Sequence, residues 1–317
     1  MSGNTLTIAL GQIAPIWLQR DATLAKVIDR IAQGASQGCE LIIFGEALVP
    51  GYPFWVERTD GAKFDSQLQK QLYAHYVDQG VSIEDGDLDS VCKAAAKHGT
   101  AVYLGVMERA ANRGRHSLYC SMVYIDPEGR IGSVHRKLMP THEERLVWAI
   151  GDGHGLKAHK LGPFTVGGLN CWENWLPLAR AALYGQGEDL HVAIWPGNLR
   201  NTEDITRFIA RESRSFVASV SGLMRREDIG DDLPHADLLR ETADDIMADG
   251  GSCLASPTGE WLLDPETGVE SLRFATIDHR LVLEERHSLD VAGHYARPDV
   301  TRLVVNRKRQ TTTEFDD

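Results

Sequence analysis

The chain has 317 residues, of which 43% are hydrophobic and 25% charged, enough apolar content for a soluble globular protein with a sizeable core. Its formal net charge of −12 leaves no basic face to neutralise phosphates, which argues against nucleic acid as a partner. No apolar run approaches the ~20 residues of a membrane helix, and Met1-Ser2-Gly3-Asn4 lacks the basic-then-apolar pattern of a secretory leader.

Thr5 to Gln12 alternates, with Leu6, Ile8 and Leu10 on one side, and predicts a strand. Leu24, Val27, Ile28 and Ile31 recur at helical spacing, so Asp21 to Ala35 reads as a helix ending before Gly38. Leu41 to Phe44 is a continuous apolar run, as in a strand buried on both faces. A helix is expected over Asp87 to His98, then strands over Ala101 to Met107 and Ser117 to Ile125. The turn Asp126-Pro127-Glu128-Gly129 folds the latter onto Ile131 to Val134 as a hairpin.

Phe164 to Leu169 is apolar and leads to Cys171, after which Pro177 opens a helical segment through Ala179 to Gly185. Leu190 to Trp195 reads as a buried strand, Thr202 to Arg214 as a helix, and Phe216 to Leu223 as another strand. Arg226 to Asp249 is an acidic insertion expected to be a surface loop or short helix. A hairpin is expected around Pro257-Thr258-Gly259, and Ser271 to Ile277 is the last clear strand. Crossovers mixed with hairpins imply layered α/β structure with mixed sheets. No composition break divides the chain, so residues 1–306 are expected to be one domain and 307–317 a poorly ordered tail.

The five cysteines, Cys39, Cys92, Cys120, Cys171 and Cys253, are odd in number and widely spaced. A disulfide framework or structural zinc site is not expected, and a reducing cytoplasm is. His135, His142 and His294 form no clustered ligand pattern, so no metal is expected. A cysteine–histidine peptidase lacks its other elements here, and Gly167-Gly168-Leu169-Asn170 is not a phosphate-binding loop.

Chemistry in α/β folds collects where strands end, and four groups stand there. Cys171 follows one strand and can serve as a nucleophile if a base is at hand. Glu46 follows Leu41 to Gly45, where apolar surroundings suit a general base. Lys137 ends Ile131 to Arg136 and can stabilise an anionic intermediate. Glu144 lies beside Glu143 in the loop Pro140 to Arg145, where the pair could equally be a charged stretch that salt-bridges Arg145. Taken singly, a strand-end Glu or Lys is more often a solvated rim residue, and an isolated thiol more often a small core residue.

Together the blocks are specific. Phe44-Gly45-Glu46-Ala47-Leu48-Val49-Pro50-Gly51-Tyr52-Pro53, His135-Arg136-Lys137-Leu138-Met139-Pro140-Thr141 and Cys171-Trp172-Glu173-Asn174 resemble the three catalytic blocks of the nitrilase superfamily, in the same order. Lys137 through Trp148, Gly151-Asp152-Gly153 and Gly293 through Val300 are similar to stretches of its true nitrilase branch. Gly45 departs from the family's proline, and Ala149 from the glycine that follows the tryptophan.

The resemblance implies an αββα sandwich of two mixed sheets covered by outer helices. It makes Cys171 the nucleophile, Glu46 the general base, Lys137 the stabilising cation and Glu144 the second glutamate. Trp172, Trp148 and Tyr52 would line the substrate pocket, and the Trp172 backbone N–H would help hold developing charge. Glu173 and Asn174 would brace the turn. Glu212, between Arg211 and Arg214, is either a structural ion-pair centre or a support for the lysine. The implied reaction is cofactor-free hydrolysis of an organic nitrile to an acid and ammonia through a thioimidate and a thioester. An amidase, a cyanide-degrading enzyme and a binding protein on the same scaffold are the alternatives. A homo-oligomer, either a dimer or a spiral of dimers, is also implied, with Arg226 to Asp249 as a candidate contact.

Overall fold

Leu6, Ile8 and Leu10 do point one way and Ala9 the other, and this alternation seats the first strand between two apolar layers. The computed structural model describes residues 3–313 and residue 316. The first half of the chain comprises β1 (Thr5–Gln12), α1 (Arg20–Ser36), β2 (Leu41–Phe44), α2 (Trp55–Arg58), α3 (Gln67–Asp78), α4 (Asp89–His98), β3 (Ala101–Arg109), β4 (Leu118–Ile125) and β5 (Ile131–Arg136). The second comprises β6 (His159–Leu161), β7 (Phe164–Asn170), α5 (Pro177–Tyr184), β8 (Leu190–Trp195), α6 (Glu203–Ser213), β9 (Phe216–Ser221), β10 (Leu223–Arg225), α7 (Ala236–Thr242), β11 (Ile246–Ala255), β12 (Trp261–Thr267), β13 (Ser271–Asp278) and α8 (His279–Arg286).

Six strands form one sheet in the order β13-β1-β2-β3-β4-β5, and seven form the other, β10-β11-β9-β8-β7-β6 with β12 paired to β11. Both are mixed: β1, β2 and β3 run parallel, as do β7, β8 and β9, and antiparallel strands flank each set. The sheets face each other across a shared interior of Ile8, Leu10, Ile43, Tyr103 and Met122 against Phe164, Val192, Ile194, Phe216 and Val220. On the outer face of the first sheet, Val27 and Ile31 of α1 and Val91 and Ala95 of α4 cover Ile42, Val102 and Leu104. On the second, Ile205 and Ile209 of α6 cover Ala193 and Val217, and Ala179 and Leu183 of α5 cover Leu169. The layers are therefore helix, sheet, sheet, helix, the αββα sandwich that the resemblance implies.

Two segments differ from expectation. The strand expected over Phe216 to Leu223 divides at Gly222, whose N–H bonds the carbonyl of Trp195, and β10 turns away to pair with β11. The acidic insertion contains a short helix, one of its two expectations, but it is not confined to the surface. It contains α7 and the start of β11, and its Ile229, Leu233, Ala236 and Leu239 are buried with Trp17, Trp55 and Trp148. Most of its charges stay at the surface while its apolar residues complete this tryptophan cluster.

The segment from Arg307, expected to be poorly ordered, carries hydrogen bonds at its start. Arg309 pairs with Asp152 at 2.9 Å, and the Gln310 N–H donates to the same carboxylate. Glu314, Phe315 and Asp317 of that tail lie outside the described residues.

Candidate active site

Strand ends from both sheets converge because their loops cross the gap. Directly after β2, the Glu46 N–H donates to the carbonyl of Trp195 at the end of β8, 3.1 Å away. The Glu46 segment also presses against β3 at Gly105, where a Cβ would lie 2.1 Å from the Gly45 oxygen and 2.7 Å from the Glu46 Cα. Only glycine permits that approach. Lys137 follows β5, with its N–H on the Cys120 carbonyl at 2.7 Å and its own carbonyl accepting from Gly151 at 2.9 Å.

Glu144 lies in the 3-10 turn His142–Leu146, where the Thr141 N–H donates to the Glu144 carboxylate at 2.6 Å in a capping box. Cys171 opens the turn Cys171–Trp175 immediately after β7. Ala47, His142 and Cys171 hold φ of +48°, +43° and +47°. Left-handed backbone at non-glycine residues is costly, and here it recurs in all three loops that carry polar groups to the centre.

At that centre the Lys137 ammonium lies 2.9 Å from Glu46 Oε1 and 3.0 and 2.7 Å from the two Glu144 oxygens. One carboxylate oxygen from each glutamate and the Cys171 sulfur fall within 4.8 Å of one another. All four side chains are buried, Cys171 to 3% exposure. Three atoms could ligate a metal, but the ammonium occupies the space between the carboxylates, and a divalent ion there would meet a fixed positive charge.

The two carboxylates are held differently. Glu144 receives Lys137, the Thr141 N–H and the Tyr52 hydroxyl at 2.8 Å. Glu46 receives Lys137 and the Cys120 thiol on Oε1, while Oε2 has no hydrogen-bond partner among the described residues. Burial raises the Glu46 carboxyl to about 7, with Lys137 opposing and the Glu144 charge adding to the rise. Burial and the Glu46 charge hold the Cys171 thiol well above its ordinary range, against Lys137 and the Trp172 N–H. Burial works against the Lys137 charge, but the Cys171 sulfur once it ionises, Glu46 and Glu144 outweigh it and keep the amine protonated. The resting centre is thus a protonated thiol beside an ammonium and a carboxylate with one free oxygen.

Glu173 ties two of the loops together. Its carboxylate accepts from the Leu138 N–H, next to Lys137, and from the Asn170 N–H, next to Cys171, at 2.9 Å in the latter case. His135 Nε2 lies 3.0 Å from the same group. Burial would raise the Glu173 carboxyl, but His135 and the two amides hold it below its ordinary range. Asn174 donates to the carbonyls of Cys171 and Leu169.

Tyr52 and Trp148 meet edge to face at 5.5 Å beside the centre, and Trp148 lies under the ammonium at 5.7 Å. The Trp172 backbone faces the sulfur, but its indole is half exposed at the rim. Glu143 pairs with exposed His142 and does not replace Glu144. Glu212 fits the first of its two readings, an ion-pair centre, though its partner is Arg180. Its carboxylate bonds Arg180 at 2.8 and 3.0 Å and Tyr184 at 2.8 Å on the outer helical layer, whereas the carboxylates on Lys137 are Glu46 and Glu144.

Sequence reasoning passed over Cys120, whose thiol donates to Glu46 at 3.3 Å. The signal was present. The hairpin sets Ser121 opposite Arg136, which places Cys120 beside Lys137.

A sandwich with these four groups at its strand ends defines a cysteine hydrolase of the carbon–nitrogen type. A family model described as carbon-nitrogen hydrolase matches residues 7–284, and the chain belongs to that family. It is 33% identical over 98% of its length to Nitrilase 2 of an unknown prokaryotic organism, covering 96% of that protein. It is 32% identical to an aliphatic nitrilase of Sinorhizobium fredii (strain HH103), over 95% of each chain. Among solved structures, XC1258 of Xanthomonas campestris, a CN-hydrolase superfamily protein with an arsenic adduct in its active site, superposes with a TM-score of 0.69. That match covers 95% of this chain and 99% of the other at 15% identity, a likeness of fold.

The Glu46 value carries a stability prediction. A carboxyl raised from 4.5 to about 7 binds its proton more tightly in the folded state, so folding loses stability as the pH climbs between those values. Glu46→Gln does not titrate. Its denaturant-derived stability should gain on the wild type by on the order of 3 kcal/mol from pH 4.5 to 7. A gap that does not change with pH would place the Glu46 value near its ordinary one.

Proposed function

We propose that the chain is a nitrilase that hydrolyses an organic nitrile to the carboxylic acid and ammonia without a cofactor. The observation that carries this reading is the Lys137 ammonium held by Glu46 and Glu144 beside Cys171, in a chain that aligns end to end with proteins described as nitrilases. Glu46 takes the proton from Cys171, and the thiolate attacks the nitrile carbon while the nitrogen is protonated, giving a thioimidate. Water delivered by Glu46 adds to it, and Lys137 with the Trp172 N–H stabilises the tetrahedral species. Loss of ammonia leaves a thioester, and a second water releases the acid and restores the thiol. Expulsion of the thiol from the tetrahedral species instead yields the amide. Tyr52 and Trp148 form the inner wall against which the substrate is held, and Trp172 the rim.

We also propose that the enzyme works as a homo-oligomer. Trp175, Leu176, Leu178 and Phe208 expose apolar surface on and beside α5 and α6, and the Arg180 guanidinium stacked on Phe208 bridges the two helices. The insertion around α7 supports this less, because its apolar residues are buried within the chain. The five free thiols support a reducing, cytoplasmic setting.

Two measurements test these readings. With paired nitrile and amide substrates, the wild type should release ammonia from the nitrile at least about tenfold faster, and Cys171→Ala should release none. The wild-type rate should rise as the pH passes about 7, where Glu46 loses its proton, and Glu46→Gln should lower kcat by about 10²- to 10⁴-fold. Faster amide hydrolysis, or turnover by Cys171→Ala, would contradict the assignment. For assembly, light scattering should give a mass at least twice the 35.1 kDa chain. A single-chain mass at working concentration would refute the oligomer.

A further inference from the structure

Two buried titratable side chains near the centre take no part in the chemistry so far. His191 lies on β8, Glu188 two residues before that strand begins, and neither is exposed to solvent. His191 Nδ1 is 3.0 Å from both Glu188 oxygens, and Nε2 is 2.8 Å from Asn174 Oδ1. At its other end, Asn174 Nδ2 lies 2.8 Å from the Cys171 carbonyl and 3.3 Å from the Leu169 carbonyl. Two carbonyls require the amide NH₂ to face them, so the amide oxygen must face His191.

That orientation fixes a proton. An amide oxygen only accepts, so Nε2 must carry hydrogen. The pair is then an imidazolium with a carboxylate, or an imidazole whose bare Nδ1 accepts from a carboxylic acid. A neutral histidine protonated on Nδ1 would set two acceptors 2.8 Å apart. Burial raises the Glu188 carboxyl against the pull of His191, in keeping with a proton retained in this pair.

The Cys171 carbonyl at the end of this chain is one half of the Cys171–Trp172 peptide, whose N–H faces the sulfur. Donation to the carbonyl of a peptide polarises it and strengthens its N–H as a donor. Cys171 sits at φ +47°, where a cysteine does not settle unaided, and the Asn174 bond holds the peptide plane there. The Arg180 guanidinium, 2.7 Å from the Asn174 carbonyl, anchors the asparagine from outside.

We infer that Glu188, His191 and Asn174 are positioning residues, a buried proton-bearing relay that fixes and polarises the Cys171–Trp172 peptide so that its N–H meets the charge developing beside the sulfur. This rests on the reading of Cys171 as the nucleophile. It assigns a role to two side chains that touch neither substrate nor thiol.

The test is steady-state kinetics of His191→Phe, Asn174→Asp, Glu188→Ala and Glu188→Gln with a nitrile and its amide, alongside the Tm of each variant. His191→Phe removes the donor to Asn174 and should lower kcat about ten- to a hundredfold, with KM changed less than about threefold. Asn174→Asp keeps an acceptor for His191 but cannot donate to the Cys171 carbonyl. It should fall as far, and it decides the matter if His191→Phe does not fold. Glu188→Ala should lose activity, and Glu188→Gln, whose amide can donate to Nδ1, should restore most of it. Wild-type kcat in folded His191→Phe or Asn174→Asp, a loss confined to KM, or no recovery in Glu188→Gln would each overturn the relay. If the wild type prefers the amide, the substrate reading fails separately, and the relay is judged by the same ratios on amide turnover.

Discussion

One ammonium between two buried carboxylates is the constraint on which the rest of this structure depends. Two ionised carboxylates cannot share a dry site unaided, because like charges repel and burial penalises the charged form. Lys137 makes the pair tolerable, within 3.0 Å of both. The neutralisation is incomplete, and the deficit falls on Glu46, which has fewer donors than Glu144 and keeps a free oxygen. A carboxylate poised near neutrality beside a protonated thiol results from unequal hydrogen bonding within one ion cluster.

Much of the surrounding architecture holds that cluster together. The three polar groups around Lys137 arrive on separate loops: Glu46 and Glu144 from the first sheet's side, Cys171 from the second. Glu173 joins the lysine strand to the cysteine turn by accepting from the amide next to each, and the Glu46 loop spans the sheets through its bond to Trp195. The positive φ of Ala47, His142 and Cys171 shows that convergence is enforced at a local cost, offset by burial in the surrounding layers. Breaking one partner out of a buried cluster of this kind is far more damaging than never having built it.

The strands and helices that carry the cluster were legible because their periodicities are strong. Thr5 to Gln12, Leu41 to Phe44 and Leu190 to Trp195 have the expected limits. The four central residues were legible as strand-end groups, but their union came from resemblance, since periodicity says nothing about which loops meet. Helix α3 was missed although Ser66 caps it and Leu68, Leu72 and Tyr76 follow at helical spacing. Its many glutamines mask the stripe. Glu212 kept two readings for a related reason. Its helix position was readable, but whether that face covers the sheet's outer side or reaches the site depends on tertiary packing. Glu188 and His191 carried a signal that was not used: polar residues at the head of a strand otherwise buried.

The account stands or falls on a covalent bond at one sulfur among five. Acid quenching during turnover of a nitrile, followed by mass analysis of the peptide bearing Cys171, measures it directly. The account predicts an adduct on Cys171 with the mass of the thioimidate or the thioester, and none on Cys39, Cys92, Cys120 or Cys253. Steady turnover with Cys171 unmodified throughout, or with the adduct on another thiol, would contradict it.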